Sequence, residues 1–415
     1  MAAISKKQGT QLGAAFALAA ASSAVIAAGT PMLFPVESEM AAFQVFWSVL
    51  FFFSGILTGF NLEATRAISA SQATANSVTP QKGPRVVWVA GAISLTLALL
   101  LAATAYWWGN LQFPSHGFSL ALVVAFGVAV CGVYMATGGA LAGRGNWGLY
   151  AGQISGYAGL QLVLVVTIAL VLHSVVAAAI GTTLSFLVWI GFLLFSPNAR
   201  AAASARTSAT LRELLPQLGA AALASGASAA LVIGLPALTS LIMPSSIVET
   251  EGPPLFLALT LTRAPLMIPL NAVQGVVIAH FSRRRAQGLH ALWPIIRIAL
   301  LVGILAVAAA WLLGPWLLNL IWGSSFVLSG PLLGVLTAGA TALAVISLTG
   351  AVSQSMMLHR SFVIGWLAAV ATAIALLFLP LTLSHRAALA LCLGPLVGIA
   401  IHLIALRNQH RGAST

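Results

Sequence analysis

The sequence has 415 residues, of which 60% are hydrophobic and only 6% charged, whereas a soluble domain carries about 25% charged residues. This composition excludes a water-soluble protein and predicts an all-α polytopic membrane protein. The net charge of +12 resides in short stretches between apolar runs. Because these stretches form no basic face with interleaved aromatic residues, we expect membrane lipids and no nucleic acid as partners.

Apolar runs broken by polar residues predict about twelve membrane-spanning helices, each needing about 20 apolar residues. They lie near residues 11–35, 41–60, 86–108, 117–141, 149–172, 174–196, 214–242, 254–280, 294–318, 331–357, 362–381 and 387–405. We divide them into two six-helix lobes, 1–196 and 214–415, joined by a cytoplasmic linker at 197–213. The stretch Gln11-Leu-Gly-Ala-Ala15 recurs as Gln217-Leu-Gly-Ala-Ala221, which indicates an internal repeat; the alternative is a chance match of common residues.

The distribution of charges predicts the orientation of the chain. With the N-terminus inside, nearly all basic residues outside the spans fall in the terminal segments and the even-numbered connections, and Arg386 is the exception. The external connections then hold Glu37, Glu39, Glu249 and Glu251. The positive-inside rule therefore predicts a bacterial inner (plasma) membrane protein with both termini cytoplasmic. We expect the apolar N-terminal stretch to be retained and not cleaved as a signal peptide.

The eighth predicted span carries more polar residues than a membrane interior tolerates without a reason. Arg263 lies about nine residues, or about 13 Å, from its outer end, and Asn271 and Gln274 follow. Gln274 returns to nearly the same helix face as Arg263. Two interpretations stay open: a helix kinked by Pro265 and Pro269 whose arginine binds backbone carbonyls, and an arginine that faces a substrate cavity.

Weaker candidates lie in the first half. Asn61, Glu63 and Arg66 follow the apolar run of the second span, and Glu63 and Arg66 are spaced to form a simple ion pair on one helix face. Gln153 and Tyr157 recur at a four-residue step on the fifth span, as either a cavity lining or interhelical hydrogen bonds require.

Residue types that are missing from the spans exclude several function classes. All six acidic residues are glutamates and none lies in the middle of a span, which disfavours a proton-driven multidrug antiporter. Cys131 and Cys392 stand alone in apolar runs, so we expect neither a disulfide nor a metal site. Without a phosphate-binding glycine loop, nucleophile elbow or zinc pattern, we expect no catalytic residues, no cofactor and no enzymatic activity.

The layout resembles the multidrug/oligosaccharidyl-lipid/polysaccharide (MOP) superfamily, and within it the polysaccharide-type flippases of high-GC bacteria. The most specific local segment is Leu261-Thr-Arg263-Ala-Pro265 with Gln274 downstream and Ser282-Arg-Arg-Arg285 at the cytoplasmic end. The resemblance implies two lobes around a central cavity that opens alternately to each side. It also implies that Arg263 is a cavity cation for a phosphate or pyrophosphate, with Arg66 a second one. The lipid II flippases of the superfamily carry several cavity arginines in the first lobe, and this chain has none deep in its first six spans.

The function hypothesis is a flippase that moves a polyprenyl-(pyro)phosphate-linked glycan from the cytoplasmic to the outer leaflet by alternating access. Arg263 would pair with the anionic head, and polar groups including Asn271, Gln274, Gln153 and Tyr157 would meet sugar hydroxyls. Other cell-envelope biosynthesis proteins are candidate partners. The alternatives are a MATE-like small-molecule exporter, and a membrane glycosyltransferase or a non-catalytic subunit of a cell-envelope glycan machinery.

Overall fold

The protein is predominantly helical in the residues that its computed structural model describes, which are 6–74, 83–113, 115–283, 288–356 and 358–412. Within these ranges the only β-type pairing is an isolated bridge between Arg85 and Arg206. Eleven helical stretches in the described residues are long and apolar enough to cross a membrane, and one of them, Val175–Phe195, contains a short 3₁₀ turn. The predicted all-α polytopic membrane fold is therefore confirmed.

Sixteen α-helices follow one another in the described residues. They are α1 (Lys6–Leu33), α2 (Glu37–Thr74), α3 (Val86–Ala103), α4 (Ala105–Gln112), α5 (Gly117–Gly143), α6 (Trp147–Leu172), α7 (Val175–Leu184), α8 (Val188–Phe195), α9 (Pro197–Ala203), α10 (Leu211–Val232), α11 (Leu235–Ile242), α12 (Ser245–Arg283), α13 (Gly288–Trp322), α14 (Gly330–Ser355), α15 (His359–Leu377) and α16 (Leu383–Gly412). The predicted eighth span, 254–280, lies inside α12, a helix of 39 residues.

The helix ends correct several sequence-based expectations. The predicted third, sixth and seventh spans are each divided, at Thr104, at a 3₁₀ turn over Ser185–Leu187, and between α10 and α11. Helix α2 continues to Thr74, so Asn61, Glu63 and Arg66 lie inside a helix and not at its inner end. Helix α12 begins at Ser245 and therefore includes Glu249 and Glu251, which were expected in a connection. Hydropathy locates apolar runs but does not detect where helices break or extend beyond them.

The chain divides into two compact units, Met1–Ala229 and Ala230–Thr415. In the first unit α5 packs against α2 and α3, and α1 packs against α6; in the second, α14 packs against α12, α13 and α16. The units divide within α10, whereas the sequence places the second lobe at 214. The first unit includes most of α10 because Gly59 of α2 lies directly against the backbone of Ala221.

A ladder of polar side chains joins α2 to α5. Asn61, Thr65 and Ser69 each donate to the carbonyl oxygen of the residue 74 positions later, at 3.0–3.1 Å. The helices approach closely because Gly139 and Gly143 face α2: a Cβ at Gly139 would overlap the Asn61 oxygen, and one at Gly143 would lie 3.0 Å from the Thr65 oxygen. Such small-residue seams with interhelical hydrogen bonds hold helices together where lipid provides no hydrophobic drive.

Arg386, the exception to the predicted charge distribution, has a structural role at a helix end. Its guanidinium donates to the oxygens of Leu377 and Leu381 and contacts the sulfur of Met243. The last carbonyls of a helix have no partner within it, and a cation there also interacts favourably with the helix dipole. Arg386 therefore caps the C-terminal end of α15.

Candidate functional site

The candidate site begins at the break between α10 and α11. Helix α10 ends at Val232, and after two intervening residues α11 begins at Leu235 with Pro236 in its first turn. A residue at 236 would normally donate its N–H to the oxygen of Val232, four residues earlier. Proline has no N–H, so the Val232 oxygen is left without a helical partner.

The side chain of Arg263 of α12 takes the place of the missing N–H donor. Its Nη1 donates to the Val232 oxygen at 2.8 Å, and the residue is only 8% exposed. Nε and Nη2 are buried and have no hydrogen-bond partner among the residues that the structure describes. The sequence left open that this arginine binds backbone carbonyls, and such a contact is present. It uses only one of the three guanidinium nitrogens.

The charge of Arg263 has no nearby anion in its helix. The closest acidic residue on α12 is Glu251, twelve residues earlier, which corresponds to about 18 Å along the helix axis. No acidic residue follows Glu251 anywhere in the sequence. A buried cation with free donors is costly unless an anion or further acceptors complete its hydrogen bonding. A phosphate suits the two free donor nitrogens because guanidinium binds it through parallel N–H bonds.

Asn271 and Gln274 lie on α12 after Arg263, and their side chains fall outside the part of the chain that the structure describes. The helical backbone continues through both positions. Their shared face with Arg263 therefore stays a prediction.

In the first unit, Gln153 and Tyr157 lie together in a buried cluster between α5 and α6. Gln153 Nε2 donates to the Tyr134 oxygen at 2.8 Å, and Gln161 Nε2 donates to the Tyr157 hydroxyl at 2.7 Å. The Tyr157 ring stacks on Phe186 with centroids 4.8 Å apart. The side-chain oxygens of both glutamines are buried and receive no hydrogen bond from any described residue. Interhelical bonding, one of the two sequence interpretations, is thus present, and two acceptors remain unused.

Glu63 and Arg66 form the simple pair that the sequence offered as an alternative. Arg66 binds both carboxylate oxygens of Glu63, at 2.8 and 2.6 Å, and also donates to Gln217. Glu63 is buried, whereas the Arg66 side chain is 55% exposed. Asn61, two residues before Glu63, donates its amide nitrogen to a backbone oxygen of α5, and its side-chain oxygen lies 3.5 Å from the Tyr150 hydroxyl. The structure therefore accounts for all three side chains by contacts within the first unit.

His402 of α16 is a buried polar group that the sequence analysis did not select. Its Nδ1 lies 3.1 Å from the Thr349 hydroxyl, its Nε2 lies 3.3 Å from the Phe362 oxygen, and its ring stacks on that of Phe362. The only sequence signal is one histidine inside an apolar run. In the described residues no group of three or more histidine, cysteine or acidic side chains could hold a metal.

Two sets of mycobacterial proteins are similar to the chain over most of its length. The uncharacterized protein Rv1510 of Mycobacterium tuberculosis is 35% identical over 378 residues, covering 88% of this chain and 84% of its own. The uncharacterized protein Mb3654 of Mycobacterium bovis is 33% identical over 366 residues, with the same coverage. The chain belongs to the family of these proteins. No family profile matches it.

Solved structures show which fold this family has. An outward-facing MATE family transporter of the MOP superfamily matches with a TM-score of 0.69 and 19% identity, over 98% of this chain and 96% of the other. An inward-facing one matches with a TM-score of 0.70 and 17% identity, over 94% and 96%. A MOP superfamily transporter from Pyrococcus furiosus, described as having a binding pocket of reversed polarity, matches with a TM-score of 0.69 and 20% identity, over 99% and 97%. The protein therefore has the two-lobed MATE fold.

Proposed function

We propose that this protein is a membrane transporter that moves a polyprenyl-phosphate-linked glycan from the cytoplasmic to the outer leaflet. The observation that carries the proposal is Arg263, a buried cation in a membrane helix whose Nε and Nη2 have no partner in the described part of the chain. Intramembrane arginines are retained for a ligand or for internal bonds, and here one nitrogen serves the internal bond while two remain for a ligand.

The fold supports a transport function because the similar solved structures are transporters. The Pyrococcus furiosus protein is described as having a pocket polarity that suggests a different function. Pocket polarity is thus the feature from which a different function was suggested on this fold, in line with function residing in sites and not in folds. In this chain the buried, incompletely bonded charge is positive.

The glycan part of the cargo would use neutral polar groups. The side-chain oxygens of Gln153 and Gln161 are buried acceptors without donors within the described ranges, and sugar hydroxyls are donors of the matching kind. The Tyr157 hydroxyl positions Gln161 by accepting a hydrogen bond from its amide nitrogen at 2.7 Å. Further amide groups would come from the helix that carries Arg263, at Asn271 and Gln274. The polar residues of α2 would stabilise the first unit and contact the cargo only at the surface of that unit; they are Asn61, Glu63 and Arg66.

A MATE-like small-molecule exporter is the second candidate, and the fold supports it equally. Exporters of cationic compounds need an anionic pocket group. Among the described membrane-spanning residues, the buried carboxylate of Glu63 is already held by Arg66. The exporter alternative therefore fits an anionic compound better than a cationic one. A glycosyltransferase would depend on Glu37, Glu39, Glu249 or Glu251 as its catalytic base.

Depletion of the protein in its host separates these functions. The flippase proposal predicts that a lipid-linked glycan accumulates on the cytoplasmic leaflet, which can be measured by its inaccessibility to an external glycosidase in intact cells. It also predicts unchanged sensitivity to small toxic compounds. Altered sensitivity to small toxic compounds with normal glycan export would establish the exporter. Loss of glycosyl transfer on substitution of an external glutamate would establish the glycosyltransferase.

A further inference from the structure

The second unit contains an apolar groove between α13, α14 and α16, with a volume of about 970 Å³. Its lining runs from Trp293 to Val307 on α13 and from Cys392 to Arg407 on α16. These stretches correspond to a length of about 21 Å at the helical rise per residue. Apart from Arg407 at one end, the lining carries a single hydroxyl, Thr341, which is already bound to the Thr337 oxygen.

The groove lies on an outer surface of the second unit. Only 11% of the membrane-spanning stretch of α13 is buried. The lining side chains Leu300, Ile304, Leu396 and Ile404 are between 41% and 64% exposed. In a bilayer such a surface contacts lipid hydrocarbon, so the occupant that this lining favours is a hydrocarbon chain.

The end of the groove at Arg407 has the features of a membrane interface. Trp293 lies at the same end, because the nearby Ile296 is in one packed cluster with Leu406. The guanidinium carbon of Arg297 is 5.2 Å from the centre of the Trp293 ring. Tryptophan and extended arginine side chains mark the depth of lipid headgroups. A chain that enters the groove here would therefore carry its headgroup next to two cations.

No acidic side chain among the described residues is paired with these cations. No acidic residue follows Glu251 in the sequence, and the only ion pair among the described residues joins Arg66 to Glu63 in the first unit. Glu249 and Glu251 lie in the first turns of α12, outside the groove lining. The groove therefore leaves room at Arg407 and Arg297 for an anion that the described side chains do not supply.

We propose that the groove binds an anionic phospholipid of the leaflet next to Arg407, with an acyl chain along the groove and its phosphate at Arg407 and Arg297. The phosphate accepts hydrogen bonds from guanidinium, and the chain covers the apolar lining. This lipid site is separate from the Arg263 site and does not depend on the cargo. Its ligand belongs to the membrane and stabilises the fold.

The test measures thermal unfolding of the purified full-length protein in detergent with added lipid. A ligand of the folded state raises the melting temperature in a concentration-dependent way. Dioleoyl phosphatidylglycerol should raise it, and dioleoyl phosphatidylcholine, with the same chains and no net charge, should raise it much less. Arg407→Gln should weaken the apparent affinity for the anionic lipid about tenfold. Arg360→Gln, which changes an exposed arginine outside the groove, should leave it unchanged.

A second pair of variants tests the chain-binding part. Ala338→Phe fills the groove while Arg407 stays, and should lower the number of anionic lipids retained in native mass spectrometry. Val335→Phe, on an exposed face of the same helix outside the lining, should retain the wild-type number. The proposal would be overturned if phosphatidylglycerol and phosphatidylcholine raised the melting temperature equally. It would also be overturned if glycerol phosphate alone raised it as much as phosphatidylglycerol does. Stronger binding of a polyprenyl phosphate than of phosphatidylglycerol would assign the groove to the cargo and also overturn it.

Discussion

Arg263 Nη1 donates to the backbone oxygen of Val232 at 2.8 Å, and this oxygen lacks a helical N–H donor because Pro236 has none. A comparable case occurs in α1, where Pro31 leaves the oxygen of Ala27 without a helical donor. There the Thr30 hydroxyl donates to it at 2.9 Å. A hydroxyl is therefore sufficient to satisfy such a carbonyl, and the charge of Arg263 exceeds what the carbonyl requires.

The first prediction separates the carbonyl bond from the charge. Arg263→Ala should lower the melting temperature, because a buried carbonyl without a donor costs about 1–3 kcal/mol. Pro236→Ala in the same chain should recover part of this loss, since residue 236 then has an N–H for Val232. Thermal unfolding of the single and double variants in detergent measures both effects.

Arg263→Gln is the matched control, because an amide can donate to Val232 without a charge. We expect its melting temperature to be equal to or above that of the wild type, since it removes a buried cation that has no ion partner. A large loss of stability in the glutamine variant would mean that the charge itself holds the fold together.

The second prediction concerns the seam between α2 and α5. Gly139→Val should destabilise the first unit by about 1–3 kcal/mol, as is typical of overpacking, because any Cβ there meets the backbone of Asn61. Gly159→Ala is the control, since a Cβ at that position meets nothing within 4 Å and alanine favours a helix. Equal melting temperatures of the two variants would show that the seam does not need the glycine.

The helix pattern was predictable where it follows hydropathy alone. Eleven predicted spans overlap stretches of described helix that are long and apolar enough to cross a membrane, because a membrane requires hydrophobic stretches of that length. The break before α11 was not predicted, although Gly234 and Pro236 stand in the sequence. Hydropathy stays high across that break, so the signal lies in the backbone chemistry of two residues and not in the composition.

The third prediction tests the ion pair on α2. Arg66→Ala should destabilise the protein, because it leaves the buried Glu63 carboxylate without its charge partner, which typically costs about 1–3 kcal/mol. Adding Glu63→Gln should recover most of the loss. A double-mutant cycle of melting temperatures measures the coupling, and additive losses would contradict a stabilising pair.

The fourth prediction tests the orientation, which rests on the charge distribution. In a variant with Cys131 and Cys392 replaced by alanine, a cysteine at position 206 should react with a membrane-impermeant maleimide only after permeabilisation. A cysteine at position 249 should react in intact cells. The reverse pattern would overturn the predicted cytoplasmic location of both termini.

The polar candidates were predictable as residue types but not in their partners. The arginine in the eighth span was recognisable because a charge there is rare, whereas its acceptor is a backbone atom 31 residues earlier, which no side-chain pattern reveals. The pair of Glu63 and Arg66 followed from their three-residue spacing. Trp293 and Arg407 were not linked, because they lie on helices distant in sequence that meet only in the folded unit.

The most direct test of the transport proposal is translocation of a polyprenyl-phosphate-linked glycan in proteoliposomes containing Arg263→Gln, Arg263→Lys or wild-type protein. External glycosidase measures the fraction of glycan that has crossed. We expect the glutamine variant to reconstitute normally and to lose translocation, because it keeps a donor for Val232 and lacks the charge for phosphate. The lysine variant should recover part of it, since it keeps the charge but not the planar fork. Wild-type translocation by the glutamine variant would contradict the role of Arg263 in binding the cargo.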